Sequence, residues 1–349
     1  MTTSKDVARL ANVSRSTVSR VLSGAVPVSN EIRKRVLEAV EKTGYEPDMV
    51  AQSLVKQQSR TIALAFFNNE QGFSLSNFRQ SRLYFYLDVL ARIENASATA
   101  GYDLILPSRP YTHFADYVRN LKTRRVAGVL MVAPFPPDER VQVLIKSNIP
   151  TVFIDAIGQG THATYVKSDN IGGTRQAVEH LLALGHRRIA ILTGYMTSLA
   201  GTERLLGAQQ ALAHAGVALD AQLIRQSGFL REEAYQATTA LLEERLDFTA
   251  LVAASDVMAF SAIRAMHERG IRVPEDVSVV GFDDIDFCLD VHPPLTTVRP
   301  DRDVMGQGAV RQLLEIINGA VDVSPLTALT ELVVRASTGP VPATSYHLL

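Results

Sequence analysis

Residues 6–24 read DVARLANVSRSTVSRVLSG, a pattern of two short amphipathic helices joined by a tight turn. Val7 and Ala11 lie about one helical turn apart and give the first helix an apolar face. Asn12 falls at the turn, where the backbone favours a residue that tolerates positive φ, as glycine and asparagine do. Ser14 is an N-cap residue for the second helix. The spacing predicts a helix-turn-helix, and the alternative is a helical hairpin with a solvated outer face.

Positive charge is concentrated in the same part of the chain. Residues 1–60 contain ten Lys and Arg against six Asp and Glu, a net charge of +4, whereas the whole chain carries -1. This distribution is typical of a nucleic-acid-binding segment joined to a neutral or acidic body. Many helical surfaces reach this charge without contacting DNA, so the charge supports the helix-turn-helix prediction without establishing it.

Two more helical patterns follow the helix-turn-helix. SNEIRKRVLEAVEKTGY, residues 29–45, begins with the N-cap candidate Ser29 and closes near Gly44, a residue type that commonly terminates helices. DMVAQSLV, residues 48–55, is separated from it by Pro47, which makes a break. The chain therefore begins with four short predicted helices, and we expect residues 1–46 to form the helix-turn-helix domain.

From Thr61 onward, short apolar runs alternate with longer amphipathic helical patterns. Fully apolar strands, each followed by a helix, indicate parallel sheets covered by helices on both faces. We therefore predict a doubly wound α/β body over residues 61–349, with two similar lobes because this length exceeds one typical domain. The runs are TIALAFF (61–67), DLIL (103–106), VAGVLMV (126–132), PTVFID (150–155), RIAILTG (188–194), ALVAA (250–254) and VSVVGF (277–282).

Polar side chains follow several of these runs. In doubly wound sheets, ligands bind beyond the carboxyl ends of the strands, so residues there are candidates for a ligand-binding cleft. Carboxylates, a guanidinium group and an aromatic ring suit a ligand with several hydroxyl groups or polar edges. Asp256 also opens a helical pattern, so an N-cap role is its alternative. The candidates are Asp155, Arg204, Phe229, Ser255, Asp256, Asp283 and Asp284.

The composition argues against several classes of protein. With 46% hydrophobic residues over 349 positions the chain can bury a sizeable core, and its beginning, MTTSKDVARL, lacks the apolar stretch of a signal peptide. We expect a cytoplasmic protein without a membrane segment. The single cysteine, Cys288, excludes an internal disulfide and a thiolate metal cluster, and we expect no metal or cofactor. The sequence has no phosphate-binding loop, nucleophile elbow or His-Glu-x-x-His motif, which argues against an enzyme.

These motifs together resemble the lac repressor and galactose repressor family of transcriptional regulators over nearly the whole chain. In the first part, the resemblance includes residues 6–24 and continues through residues 28–54, although Asn12 stands where glycine is usual. In the body, the family's order of motifs is kept by LLALGHRRIAILTG (181–194), ERLLGAQQAL (203–212), ALVAASDVMA (250–259), VPEDVSVVGFDD (273–284) and PPLTTVRP (293–300).

The resemblance implies that the second helix lies in the major groove of double-stranded operator DNA. An arginine there can bond guanine in bidentate fashion, whereas serine is less selective. Serine and threonine hydroxyls of the same region suit phosphate contacts. The implied base-reading residues are Arg15, Ser16 and Arg20, and the implied phosphate contacts are Ser14, Thr17 and Ser19.

Residues 47–60 correspond to the family's hinge helix and linker. The resemblance implies that Leu54 is a wedge for the minor groove and that Ala51 lets the two hinge helices of a homodimer approach closely. An isolated helix of this length is unstable in water, so its folding can be coupled to DNA binding. The alternative is a plain linker.

The resemblance also carries a ligand-contacting role over to Asp155, Arg204, Phe229 and Asp283. Ser255 stands where the lac repressor has a ligand-binding asparagine, which leaves the identity of the sugar open. The expected effector is a small sugar or a derivative, bound between the two lobes, that controls a repressor allosterically. A purine-type, corepressor-dependent repressor is the alternative within the family.

We assign residues 61–349 to effector binding and dimerisation. Lobe 1 is expected at about 61–160 and 290–320, and lobe 2 at about 161–289 and 321–340. A free solute-binding protein and an enzyme on the same α/β fold are the rival classes. The added DNA-binding segment argues against the solute-binding protein.

Overall fold

The structure is a computed structural model that describes residues 3–23, 28–45, 59–65, 83–107, 113–134, 139–244 and 247–341. The described residues form eleven α-helices and twelve β-strands. The chain divides into two compact units, residues 1–60 and 61–349, at the point where the sequence pattern changes from purely helical to alternating.

Three α-helices form the described part of the first unit: α1 (Ser4–Leu10), α2 (Arg15–Ser23) and α3 (Asn30–Thr43). Each contributes buried apolar side chains to one small core, among them Val7 from α1, Val18 from α2 and Val36 from α3. Because these side chains recur at helical spacing, burying them packs the three helices together and leaves the polar faces outside.

Local sequence signals set the ends of these helices. Asn12 has a φ of 50° in the turn between α1 and α2, and Ser14 Oγ accepts a hydrogen bond from the backbone N–H of Thr17 at 3.1 Å. Ser29 caps α3 by accepting from a backbone N–H of its first turn, and Gly44 ends α3 with a φ of 57°. The helix-turn-helix prediction is confirmed, and Asn12 adopts the turn conformation for which glycine is usual.

The described residues of the second unit form two six-stranded sheets. The strands of the first sheet are β1 (Thr61–Ala65), β2 (Asp103–Ile105), β3 (Gly128–Val132), β4 (Thr151–Ile154), β5 (Ala163–Ser168) and β11 (Leu326–Ala328). Their order is β11-β5-β4-β3-β1-β2, and all of these neighbours pair in parallel. The central strands β3 and β4 are buried along their whole length, as expected when helices cover both faces.

The second sheet repeats this arrangement with one exception. Its strands are β6 (Ile189–Thr193), β7 (Ile224–Gln226), β8 (Ala250–Ala253), β9 (Ser278–Phe282), β10 (Thr296–Pro300) and β12 (Thr330–Val333). Their order is β12-β10-β9-β8-β6-β7, and only β12 is antiparallel to its neighbour. All seven apolar runs of the sequence are strands, so the prediction of a doubly wound α/β body is confirmed.

Helices cover both sheets. Those that accompany the first sheet are α4 (Leu83–Thr99), α5 (Phe114–Thr123), α6 (Glu139–Ser147) and α11 (Ala309–Ile317), and those that accompany the second are α7 (Asn170–Ala183), α8 (Leu199–His214), α9 (Arg231–Glu244) and α10 (Asp256–His267). A π-helical turn, Val304–Gly308, leads directly into α11. Within the described residues, no helix combines the length and apolarity that a membrane crossing requires.

In the order of the described strands, the chain passes between the sheets three times: after β5, after β10, and between β11 and β12. The lobe boundaries expected from the sequence are therefore wrong in three places, because β5 and β11 belong to the first sheet and β10 belongs to the second. An apolar run predicts that a strand is buried but not which sheet it joins. We use lobe 1 and lobe 2 below for the first and second sheet with their helices.

Candidate functional site

The outer face of α2 carries the side chains predicted to contact DNA. Arg15, Ser16, Ser19 and Arg20 are exposed, while Val18 is buried in the core on the opposite face. Exposed donors on one helix face can reach base edges when that helix enters the major groove. The structure therefore presents these four side chains on the surface of α2.

Short contacts order the beginning of α2. The Ser14 hydroxyl lies 2.7 Å from the Ser16 hydroxyl and 2.8 Å from that of Thr17. Arg15 Nε donates to a hydroxyl of α1 at 3.3 Å, and Arg20 Nε donates to the carbonyl of Ser16 at 3.4 Å. The hydroxyl contacts of Ser14 bring three residues that are predicted to contact phosphates or bases, Ser14, Ser16 and Thr17, together at the start of α2. The predicted hinge residues Ala51 and Leu54 lie outside the described residues.

Three candidate ligand contacts follow strands and share a rare backbone conformation. Asp155 follows β4 with a φ of 56°, Phe229 lies just beyond β7 with a φ of 65°, and Asp283 follows β9 with a φ of 119°. Non-glycine residues seldom adopt positive φ because the side chain crowds the backbone, and such residues cluster at ligand sites. The strained conformations mark the carboxyl ends of these strands as a candidate site.

Asp155 belongs to lobe 1 and is held by two donors. Tyr86 Oη, on α4, donates to Asp155 Oδ2 at 2.7 Å, and the backbone N–H of Ser168 donates to Oδ1 at 3.3 Å. Burial raises the pKa of Asp155, while the Tyr86 hydrogen bond and the positive charge of Arg204 act in the opposite direction. Because Arg204 belongs to lobe 2, this electrostatic interaction indicates that the two lobes meet here.

Arg204, on α8, is buried and oriented from several sides. Its Nε donates to Asn170 Oδ1 at 2.9 Å, and its Nη1 donates to the carbonyl of Ala254 at 2.5 Å. Nη1 also lies 3.4 Å from Asp283 Oδ1, and the guanidinium carbon stacks 3.6 Å from the centre of the Phe282 ring. A planar group bonded along its edge and stacked on its face has one orientation, so Arg204 is a fixed positive donor at the cleft.

Phe229 supplies an aromatic wall next to Arg204. Its ring centre lies 6.0 Å from the guanidinium carbon of Arg204 and 6.5 Å from the ring of Tyr195. Gly194 makes room for this ring, since a Cβ atom at that position would come within 1.9 Å of it. An aromatic face of this kind can lie against the apolar side of a ligand ring.

Asp283 completes the charged cluster. Burial raises its pKa to about 6, although the charges of Arg204 and Arg302 act in the opposite direction. Arg302 follows β10, donates to the carbonyl of Asp283 at 2.8 Å, and forms an ion pair of 2.9 Å with Asp88 of α4. The site therefore combines carboxylates with guanidinium groups, the pair of functions that bonds neighbouring hydroxyl groups.

Tyr86 and Arg302 belong to this cluster and were missed in the sequence. Tyr86 lies within LYFYL, an aromatic-rich helix start of a kind that is typical of ordinary core packing. Arg302 lies in a connection between the sheets, where no strand pattern points to a ligand site. The packing of α4 brings Tyr86 to the cleft, and the crossing of the chain after β10 brings Arg302 there.

Ser255 and Asp256 have structural partners. Ser255 caps α10 by accepting from the backbone N–H of Met258, so the alternative that Asp256 is the N-cap is wrong. Asp256 is fully buried and accepts from three donors of the second sheet and its loops: the backbone N–H of Ile285 at 2.9 Å, the Cys288 thiol at 3.1 Å and the Thr297 hydroxyl. Asp256 thus ties α10 to the segment that follows β9.

Asp256 is expected to make stability depend on pH. Burial and the nearby charge of Asp283 raise the pKa of Asp256 to about 8. A carboxyl group whose pKa is raised on folding stabilises the protein fully below its unfolded pKa and loses that contribution as the pH rises through the folded value. Between pH 6 and 8, the free energy of unfolding of Asp256→Asn should therefore fall less steeply than that of the wild type, by about 1 kcal/mol per pH unit.

Unfolding by urea at several pH values measures this difference. An asparagine can keep the hydrogen bonds at position 256, because its oxygen accepts from Ile285 and its amide donates to Thr297. Asp290→Asn, which changes an exposed aspartate nearby, is the control and should leave the slope unchanged. If the free energy of unfolding changed with pH equally in all three proteins, the prediction that Asp256 titrates in this range would be contradicted.

Comparison with known proteins agrees with both units. The family model for bacterial regulatory proteins of the lacI family matches residues 3–48, and the model for the periplasmic binding protein-like domain matches residues 178–338. The chain is 35% identical to the HTH-type transcriptional regulator CelR of Thermobifida fusca, covering 95% of this chain and 96% of that protein. It is 32% identical to the HTH-type transcriptional regulator AscG of Escherichia coli, and the alignment covers 97% of this chain and 98% of that protein.

Solved structures give the same result. A CelR–cellobiose complex superposes with a TM-score of 0.72 at 33% identity and covers 97% of this chain and all of that one. A lac repressor dimer bound to operator and the anti-inducer ONPF superposes with a TM-score of 0.80 at 31% identity, covering 97% and 99%. These relatives are transcriptional regulators. The chain belongs to the lacI family of bacterial regulatory proteins and is a transcriptional regulator that binds DNA.

Proposed function

We propose that the protein is a repressor whose operator affinity is controlled by a small, uncharged sugar or sugar derivative bound between the two lobes. The observation that carries this proposal is the convergence of Asp155 from lobe 1 with Arg204 and Asp283 from lobe 2. Each charged group in the cluster has a partner of opposite charge nearby, so the site favours hydroxyl groups over a charged ligand.

The relatives support a sugar. The CelR structure is a complex with cellobiose, and the lac repressor structures contain ligands called ONPF and ONPG. In this chain Phe229 would lie against one face of a sugar ring, while Asp155, Arg204 and Asp283 would bond its hydroxyl groups. Ser255 lies next to this cluster at the start of α10 and is proposed as a further contact.

A second candidate is a purine that acts as corepressor. The chain is 33% identical to the transcriptional repressor PurR of Vibrio atlanticus over 91% of its length. The two candidates differ in sign, because a corepressor tightens operator binding whereas an inducer weakens it. We propose induction, with closure of the lobes around the sugar shifting a homodimer away from its DNA-binding form.

Two measurements test the proposal. Thermal shift against a panel of sugars, sugar phosphates and purines identifies the ligand, because a ligand that binds only the folded protein raises Tm as its concentration exceeds Kd. A band-shift titration on operator DNA selected from random sequence then measures the operator affinity with and without that ligand. Stabilisation by a purine alone, with tighter operator binding, would replace the sugar proposal by the purine one.

Leu54→Ala is expected to weaken operator binding at least tenfold and to leave sugar affinity unchanged. We propose that Leu54 inserts between base pairs at the centre of the operator, where a smaller side chain cannot keep the duplex bent. Band-shift and isothermal titration on the same preparation measure the two affinities. Gln52→Ala is the matched control, and an equal loss of DNA and sugar binding in Leu54→Ala would contradict a role confined to DNA.

A further inference from the structure

A series of polar contacts connects lobe 1 to Arg204 through the first crossing of the chain. Lys167 lies near the end of β5 in lobe 1, and Glu203 lies on α8 in lobe 2. Lys167 Nζ and Glu203 Oε1 form an ion pair, with side chains that are only 21% and 13% exposed. Partial burial weakens solvent screening, so this pair is stronger than an ordinary surface pair.

Asn170, at the start of α7, connects this ion pair to Arg204. Its Nδ2 donates to Glu203 Oε2 at 3.0 Å, and its Oδ1 accepts from Arg204 Nε at 2.9 Å. Asn170 is 1% exposed, so protein groups replace water as its partners. The reversed amide would place NH2 against a guanidinium donor and oxygen against a carboxylate, and both contacts would be repulsive. The carboxylate of Glu203 therefore fixes which end of the amide faces Arg204.

We propose that Glu203 is a positioning residue for Arg204 that acts through Asn170, while Lys167 of the other lobe is the second partner of its carboxylate. Asn170 takes the Nε edge of Arg204, which leaves the remainder of the guanidinium group directed towards Ala254 and Asp283. The expected effect of Glu203 on ligand binding rests on the proposed sugar site. The effect of Glu203 on the orientation of Arg204 does not depend on that site.

Glu203→Gln tests the inference because a glutamine cannot satisfy both of its neighbours. Lys167 and Asn170 are both donors towards position 203, and glutamine offers one oxygen and one NH2 group. If its oxygen faces Lys167, the amide of Asn170 must reverse and Arg204 Nε loses its acceptor. In the double variant Lys167→Met, Glu203→Gln, the competing donor is gone, so the glutamine oxygen can face Asn170 and restore the original amide.

The orientation of Arg204 can be measured in the full-length protein without a ligand. Arginine labelled with 15N at Nε gives a spectrum in which Arg204→Lys identifies the Arg204 signal, and exchange of its Nε proton with water reports the hydrogen bond to Asn170. Glu203→Gln should speed this exchange about tenfold, as expected for the loss of one charge-assisted hydrogen bond. Lys167→Met and the double variant should stay within about threefold of the wild type.

Glu179→Gln makes the same chemical change on the exposed face of α7 and serves as the control. Unchanged exchange in Glu203→Gln, or equally fast exchange in Glu203→Gln and the double variant, would overturn the positioning role. Thermal melting of each variant verifies folding, and a purely structural role of Glu203 would lower Tm without recovery in the double variant.

Titration with cellobiose as the probe adds the functional comparison. Affinity should fall about tenfold in Glu203→Gln and recover in the double variant. If wild-type protein binds neither cellobiose nor another sugar, the proposed function is contradicted, while proton exchange still decides the positioning role. If sugar binds and Glu203→Gln binds it equally well, the positioning role is overturned and the proposed function stands.

Discussion

Asp283→Ala should weaken sugar binding by about a hundredfold, because it removes a half-buried carboxylate, 13% exposed, that we place in charge-assisted hydrogen bonds with the ligand. The change also removes the negative charge that interacts with the guanidinium groups of Arg204 and Arg302. DNA binding should persist, since Asp283 lies in the body and not in the helix-turn-helix unit. The variant is thus expected to be a repressor that no longer responds to its effector.

Isothermal titration with the sugar identified by thermal shift, together with band-shift, measures the two effects. Glu179→Ala is the control, because it also removes a carboxylate, one that forms an exposed ion pair of 3.6 Å on α7. It should change neither the sugar affinity nor the operator affinity. A fully inducible Asp283→Ala protein would contradict the proposed site.

Arg15→Ala and Arg20→Ala should each cost about 1–3 kcal/mol of operator binding and relax the preference for particular bases. Both side chains are exposed on α2, at positions from which an arginine can bond guanine in bidentate fashion. Selection from random DNA, followed by sequencing, measures the preference of each variant.

Lys5→Ala and Arg33→Ala remove exposed positive charges from α1 and α3 and are the controls. They should weaken binding evenly across sequences without altering the selected consensus. If Arg15→Ala selects the same consensus as the wild type, Arg15 does not read bases directly.

The sequence was sufficient to predict most of the fold. Apolar runs such as VAGVLMV and VSVVGF became strands because they are short and rich in valine, and a strand covered by helices on both faces buries every side chain of such a run. The assignment of β5 and β10 to the wrong lobes has a different cause. β5, ATYVKS, alternates buried and partly buried positions, and β10 follows two prolines, so neither pattern indicates which sheet the strand completes.

The candidate site was predictable where it depends on strand ends. Asp155, Phe229 and Asp283 were identified because parallel strands bring their carboxyl ends to one edge. Tyr86 and the Lys167–Glu203 pair were missed, because their positions depend on helix packing and on the crossings between lobes. Sequence spacing carries no information about such long-range contacts.

Operator affinity with and without saturating sugar, measured by band-shift on the selected operator, tests the central claim most directly. A ligand shifts an equilibrium only by its differential affinity, and a nearly complete switch needs a preference on the order of ten-thousand-fold. We predict that the sugar weakens operator binding and that the operator weakens sugar binding by the same factor, as linkage requires. Operator affinity that is unchanged by a sugar bound in the cleft would contradict the account.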